Sequence, residues 1–252
     1  MRIVVFLGPS LDAAEAQALC PCEVRPPVRR GDIAALMDDP PDAIAIVDGA
    51  FEQVPSVWHK EILFALSCGV RVAGAASMGA LRAAELAQFG MVGVGRIFEA
   101  YRSGQFAPYT DPFEDDDEVA VIHGPAELGY PASDALVDMR ATFAAAADAG
   151  ILTPDDARSL VAGARSIFFK DRTYGAVLAR TAETAAGPVR ARLEGVAQWL
   201  PHNAVRQKRA DAVALLEALA AGSITFTTPA FRFEPTLLWE RWHGAGTGGR
   251  QP

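Results

Sequence analysis

Val70–Gln88 reads VRVAGAASMGALRAAELAQ. Its opening, Val70–Ala75, is a short apolar run of the kind that fills a buried strand, and from Gly79 to Gln88 Leu and Ala recur at helical spacing. Between the two, Ser77 stands beside Ala75, Ala76 and Gly79. Residues this small permit a tight strand-to-helix turn and a close approach of helix to sheet. Similar runs flank this stretch. Arg2–Leu7 (RIVVFL) stops at Gly8-Pro9-Ser10, Ala43–Val47 (AIAIV) stops at Asp48-Gly49, and Glu118–Ile122 (EVAVI), taken as a fourth strand, stops at His123-Gly124. Helices are predicted over Leu11–Leu19, Gly31–Met37 and Pro55–Cys68, the last with its proline near the start, where a missing N–H costs nothing. Pro21–Pro27 reads as extended. This alternation predicts an α/β fold, a largely parallel sheet flanked by helices. Right-handed crossovers then bring Gly8, Asp48-Gly49, Ala76-Ser77 and His123 to one rim of the sheet.

Beyond Tyr130-Pro131 the strands stop. Ser133–Ala149, Pro154–Ala164, Tyr174–Ala185, Val189–Trp199 and Val205–Ala221 all read as helices with Gly or Pro between them. The expected organisation is an α/β core carrying the site over 1–130, a helical C-terminal subdomain over 131–243, and a disordered Gly-rich tail over 244–252.

Composition narrows the function. The net charge of −8, from 23 Lys+Arg against 31 Asp+Glu, opposes non-specific nucleic-acid binding, which needs basic side chains to neutralise phosphates. Apolar runs stay shorter than the roughly 20 residues of a spanning helix. The apolar start Met1–Leu7 is too short for a secretory signal, so a cytoplasmic protein is expected. Cys20, Cys22 and Cys68 make neither a disulfide framework nor a closed zinc site. No Walker A or dinucleotide fingerprint is present. Neither metal nor cofactor is expected.

Ser77 reads either as a helix N-cap or as a nucleophile whose oxyanion would meet the helix N-terminus. A nucleophile needs a base. Only three lysines occur, Lys60, Lys170 and Lys208. Lys60 lies among Val57, Trp58, Ile62, Leu63, Phe64 and Leu66, a helix apolar nearly all round. Burial there would favour its neutral amine, unless the head snorkels to water. His123, or His59 beside Lys60, is the other choice, with Asp48 to orient it. Glu114–Glu118 reads as a solvated loop. Arg25, Arg29, Arg30 and the Arg206-Gln207-Lys208-Arg209 run read as exposed charge or docking patches.

Gly8-Pro9-Ser10-Leu11, Arg30-Gly31-Asp32-Ile33, Asp48-Gly49-Ala50-Phe51, Trp58-His59-Lys60-Glu61-Ile62, Gly74–Leu86, Phe89–Gly95, Asp115–Ala120 and His123–Glu127 together resemble the TfuA family, over roughly residues 3–178. The resemblance implies a partner of YcaO enzymes, which activate a backbone amide so that sulfur can replace oxygen. The implied activity is hydrolysis of the thiocarboxylated C-terminus of a ThiS-like sulfur carrier, releasing sulfide. It also implies a Ser-Lys pair, for which Ser77 and Lys60 fit, with Lys170 and His123 as the other candidate bases. An oxyanion would be held by backbone N–H groups of Gly49 and of Met78 or Gly79, and Arg82 or Arg30 would offset the charge of the thiocarboxylate. Two other readings compete, a non-catalytic adaptor that docks peptide and carrier onto YcaO and a general Ser-Lys or Ser-His esterase. A homo-oligomer is compatible with each.

Overall fold

The computed structural model describes residues 1–52, 54–122, 124, 132–227 and 230–246, the last four of these by backbone alone. Strands β1 (Ile3–Phe6), β2 (Glu23–Arg25), β3 (Ala43–Ile46), β4 (Arg71–Gly74) and β5 (Val92–Gly93) form one parallel sheet in the order β2-β1-β3-β4-β5. Phe6 pairs with Ile46 and Ile46 with Gly74, so the strands that lead into the site end level with one another. Every residue of β1 and β3 is buried. Such strands read as unbroken apolar runs because both faces of the sheet are covered.

The two faces separate by strand alternation. Val4, Phe6, Ile44, Ile46 and Val72 pack toward α2 (Asp32–Leu36), α3 (His59–Ser67) and α4 (Met78–Leu86). Ile3, Val5, Ala43, Ala45 and Ala73 pack toward α1 (Ala13–Leu19) and α10 (Gln207–Ala220). The C-terminal helices therefore do not all stand apart, since α10 returns to cover one face of the sheet. Before it come α5 (Arg96–Ser103), α6 (Leu136–Asp148), α7 (Pro154–Arg165), α8 (Tyr174–Thr184) and α9 (Gly187–Asn203). Thr153 and Thr173 cap α7 and α8 with their side-chain oxygens.

Three expectations are corrected. Glu118–Ile122 is not a strand. Asp116–Glu118 is a single 3₁₀ turn, and two buried arginines hold the segment from outside the sheet. Arg140 donates to both Glu118 carboxylate oxygens at 2.7 and 2.9 Å, and Arg172 donates to the Asp117 carboxylate at 2.6 Å. Val119 is still buried, which is why the run looked like a core strand. The fourth neighbour is instead β5, two residues long. Second, α3 starts at His59 rather than Pro55. The Glu61 carboxylate accepts the N–H of Trp58 at 3.2 Å and that of Gly31 at 2.8 Å, tying the start of α3 to that of α2. Third, the tail does not begin at Gly244, because a last helix, α11 (Leu237–Gly246), runs through it. It is anchored by Trp239, whose ring lies 5.3 Å from Phe64 and 5.4 Å from Phe233.

Glycine sets the distance between α4 and the sheet. A Cβ on Gly79 would lie 1.7 Å from the Ile46 carbonyl oxygen, and one on Gly74 would lie 2.1 Å from the Gly79 oxygen. Both clashes are with backbone, which cannot rotate away. Gly79→Ala is expected to cost about 3 kcal/mol or more, a fall in Tm of about 10 °C for a chain of this size. Gly187→Ala, where a Cβ meets nothing within 4 Å, is expected to leave Tm within about 2 °C. Calorimetry of the two variants checks the contrast.

Candidate functional site

The turn that carries Ser77 is built from this close approach. After β4, the Ala75 N–H donates to the Ile46 carbonyl at 3.1 Å, and Ala76 takes a left-handed φ of 66°. A residue with a Cβ in that region is strained, and such strain gathers at functional sites. The N–H groups of Ser77 and Gly79 both donate to the Val47 carbonyl at 3.3 Å. Gly79 is thus excluded as an oxyanion donor, a correction to one of the three expected groups. The N–H groups of Gly49 and Met78 donate to nothing among the described residues. Ser77 is the N-cap residue of α4 by position, yet its side chain makes no capping bond. The residue is only 2 % exposed.

Ser77 lines a cavity of about 320 Å³ at the level ends of β1, β3 and β4, together with Asp48, Gly49 and Lys208. Asp48 is buried and fully engaged. One carboxylate oxygen accepts the N–H groups of Gly8 and Ser10 at 2.9 and 3.0 Å, and the other accepts the Ser10 hydroxyl at 2.6 Å. It therefore fixes the turn after β1. Lys208 Nζ lies 4.0 Å from Asp48 and donates to the Val119 carbonyl at 2.9 Å. Lys208 is 5 % exposed.

The other expected groups lie elsewhere. Lys60 is half-buried, not buried. Its ammonium donates to the Glu234 carbonyl at 2.5 Å and stands 4.9 Å from the Phe233 ring, and the residue does not line the cavity. The reason is the phase of α3, which buries Glu61, Ile62, Ala65 and Leu66 and leaves Phe64 for the C-terminal Phe233 and Trp239. Lys170 pairs with Glu52 at 2.7 Å. His59 pairs with Glu85 at 2.7 Å, and Arg82 donates to the same carboxylate at 2.6 Å. Arg30 lies over the Trp58 ring, 5.1 Å from its centre. Arg25 and Arg29, not Arg30 or Arg82, line the cavity. His123 lies outside the described residues.

Lys208 was missed because Arg206-Gln207-Lys208-Arg209 reads as a charged patch. A signal was present. Lys208, Ala212, Leu215 and Leu219 fall at i, i+4, i+7 and i+11, and the last three form the buried stripe of α10. A lysine in phase with an apolar stripe points inward.

A family model described as TfuA-like protein matches residues 48–173, half of the chain. The chain belongs to the TfuA-like family. Membership supports a role in the pathway of TfuA proteins and YcaO enzymes. No curated protein matches the chain. Of the groups described above, Asp48, Gly49, Ser77 and Met78 fall inside the matched segment, and Lys208 falls beyond it. Among the described residues, no helix is long and apolar enough to cross a membrane.

One group behind the site titrates near neutrality. Asp138 on α6 accepts the Lys208 backbone N–H at 2.9 Å, and burial pushes its carboxyl up to about 6. A carboxyl with a folded pKa above its unfolded value favours the folded state only while protonated. It therefore lowers stability as pH rises from about 4 to 6, and the loss is complete above that window. Asp138→Asn keeps the acceptor oxygen without the charge. Urea titrations are expected to show this variant gaining stability relative to wild type across the same window. Ser77→Ala is expected to unfold within about 0.5 kcal/mol of wild type, since its hydroxyl caps nothing.

Proposed function

We propose that this TfuA-like protein is a Ser-Lys hydrolase. It releases sulfide from the thiocarboxylated C-terminus of a ThiS-like sulfur carrier, supplying a YcaO enzyme for peptide backbone thioamidation. The observation that carries this reading is the shared cavity of Ser77 and the buried Lys208 amine. The Ser77 side chain is not used as a cap, and among the described residues the N–H groups of Gly49, which lines the cavity, and of Met78, next to Ser77 in the chain, donate to nothing.

In this cycle Lys208 accepts the Ser77 hydroxyl proton while Oγ bonds to the thiocarboxylate carbon. The N–H groups of Met78 and Gly49 hold the oxyanion. Asp48, 4.0 Å from the amine, stabilises the ammonium that forms. The ammonium returns its proton to sulfur, the C–S bond breaks, and hydrosulfide leaves an acyl-Ser77. Water then attacks the acyl carbon and gives a proton to Lys208, which passes it back to Oγ. The carrier departs as a carboxylate, its proton going to solvent. Arg25 and Arg29 at the cavity favour an anionic substrate, although each also faces its own carboxylate, Glu23 and Asp32.

The test is sulfide release from thiocarboxylated carrier. Ser77→Ala and Lys208→Ala are each expected to lose at least about 100-fold in kcat. Lys60→Ala is expected to stay within about threefold of wild type, because its amine is held at Glu234. Full activity in Lys208→Ala with loss in Lys60→Ala would return the base to α3. Full activity in Ser77→Ala would overturn the hydrolase and leave a non-catalytic adaptor on YcaO. Turnover of simple acyl esters at a rate matching that of the carrier would favour a general esterase.

A further inference from the structure

A second cavity, of about 370 Å³, lies against the first. Pro9, Val121 and Lys208 line both, so these three residues belong to the wall between them. The second cavity is lined by the hydroxyl-bearing Ser10, Ser133 and Tyr174 and by the half-buried Asp138. Exposed Pro201, Ala204, Arg206 and Arg209, from the end of α9 and the start of α10, also line it and form its outer rim.

The acyl-enzyme cycle proposed above, on which this inference rests, gives the second cavity a task. Once Ser77 is acylated, the carrier's C-terminal residues fill the first cavity. At that stage hydrosulfide must leave and a water must arrive, and both exchange a proton with Lys208. We infer that the second cavity is the port for these two small species. Water reaches Lys208 from the Ser10–Ser133–Tyr174 side, and hydrosulfide departs by the same way, past Arg206 and past Arg209, which pairs with Glu15. The hydroxyl groups and Asp138 give waters the several polar partners that each one needs in a buried site. The volume is many times the roughly 10–15 Å³ that a cavity needs to hold one water. Entry of the macromolecular donor and exit of its sulfur are thus separated by the wall of Pro9, Val121 and Lys208.

Ala204→Trp would fill the rim with an indole, and Ala204→Ser would leave it open as the size-matched control. Pro201→Trp reaches the same rim from a neighbouring turn of α9, should the first variant fold poorly. Wild type and variants, each shown to be folded, are given thiocarboxylated carrier, and sulfide release and intact protein mass are followed. With the port blocked, kcat is expected to fall at least about tenfold and KM to fall with it. The carrier adduct on Ser77 accumulates by mass, and kcat/KM, which reads the steps through hydrosulfide release, falls less than kcat. Wild-type kcat without adduct in either Trp variant overturns the port while leaving the hydrolase in place. Equal loss in kcat and kcat/KM without adduct also overturns it, as general damage to the site. A wild-type protein that releases no sulfide sinks the hydrolase and the port together.

Discussion

The absent side chain of Gly79 is the constraint on which the site depends. With its Cα against the Ile46 carbonyl, the first turn of α4 lies directly on the ends of β3 and β4. At that distance one carbonyl, that of Val47, accepts from both Ser77 and Gly79. The Met78 N–H falls between these two and is left facing its surroundings. A helix even an ångström further out would lose those bonds and turn Ser77 into an ordinary cap. The left-handed Ala76 is the local cost of that geometry, and the Ile46–Gly74 register of the sheet holds it in place.

The second ingredient comes from far along the chain. α10 is fixed at its start by two carboxylates from different directions. Asp138 of α6 accepts the Lys208 N–H, and Asp211 on α10 itself accepts the Ile97 N–H of α5 at 2.8 Å and the Gln207 side chain at 2.7 Å. Packing of Leu215, Leu216 and Leu219 on the sheet supplies the burial. Lys208 therefore does not reach the cavity by a flexible stem from the surface, because its whole helix is seated against the core. The carboxylate that faces its amine, Asp48, is in turn immobilised by three bonds from the Gly8–Ser10 turn. Asp48 thus joins the first strand, the third strand and the tenth helix at one point.

Much of this was legible in the residues, and the remainder was hidden for identifiable reasons. The strands at Ile3, Ala43 and Arg71 and the turn at Ser77 were read from runs of buried residues and punctuation, and the five helices after residue 131 from their spacing. Glu118–Ile122 misled because its pattern reports burial. Burial does not distinguish a paired strand from a segment pinned by Arg140 and Arg172. Val92–Gly93 is too short to leave a pattern at all. Lys60 and Lys208 are exchanged for a related reason. Both stand near apolar residues, and what separates them is helix phase, which places Lys208 on the stripe of its helix and Lys60 off it. The charged neighbours Arg206 and Arg209 concealed that phase.

The long return of α10 also bears on when the protein can act. Ser77, Gly49 and Met78 are all supplied by the first third of the chain, whereas the amine arrives only after residue 207 has been made and its helix has docked. Until α10 is made, the sheet face of Val5, Ala45 and Ala73 lacks its cover of Leu215, Leu216 and Leu219, and the cavity lacks Lys208. In the hydrolase proposed above, the serine turn is therefore made early and its amine last.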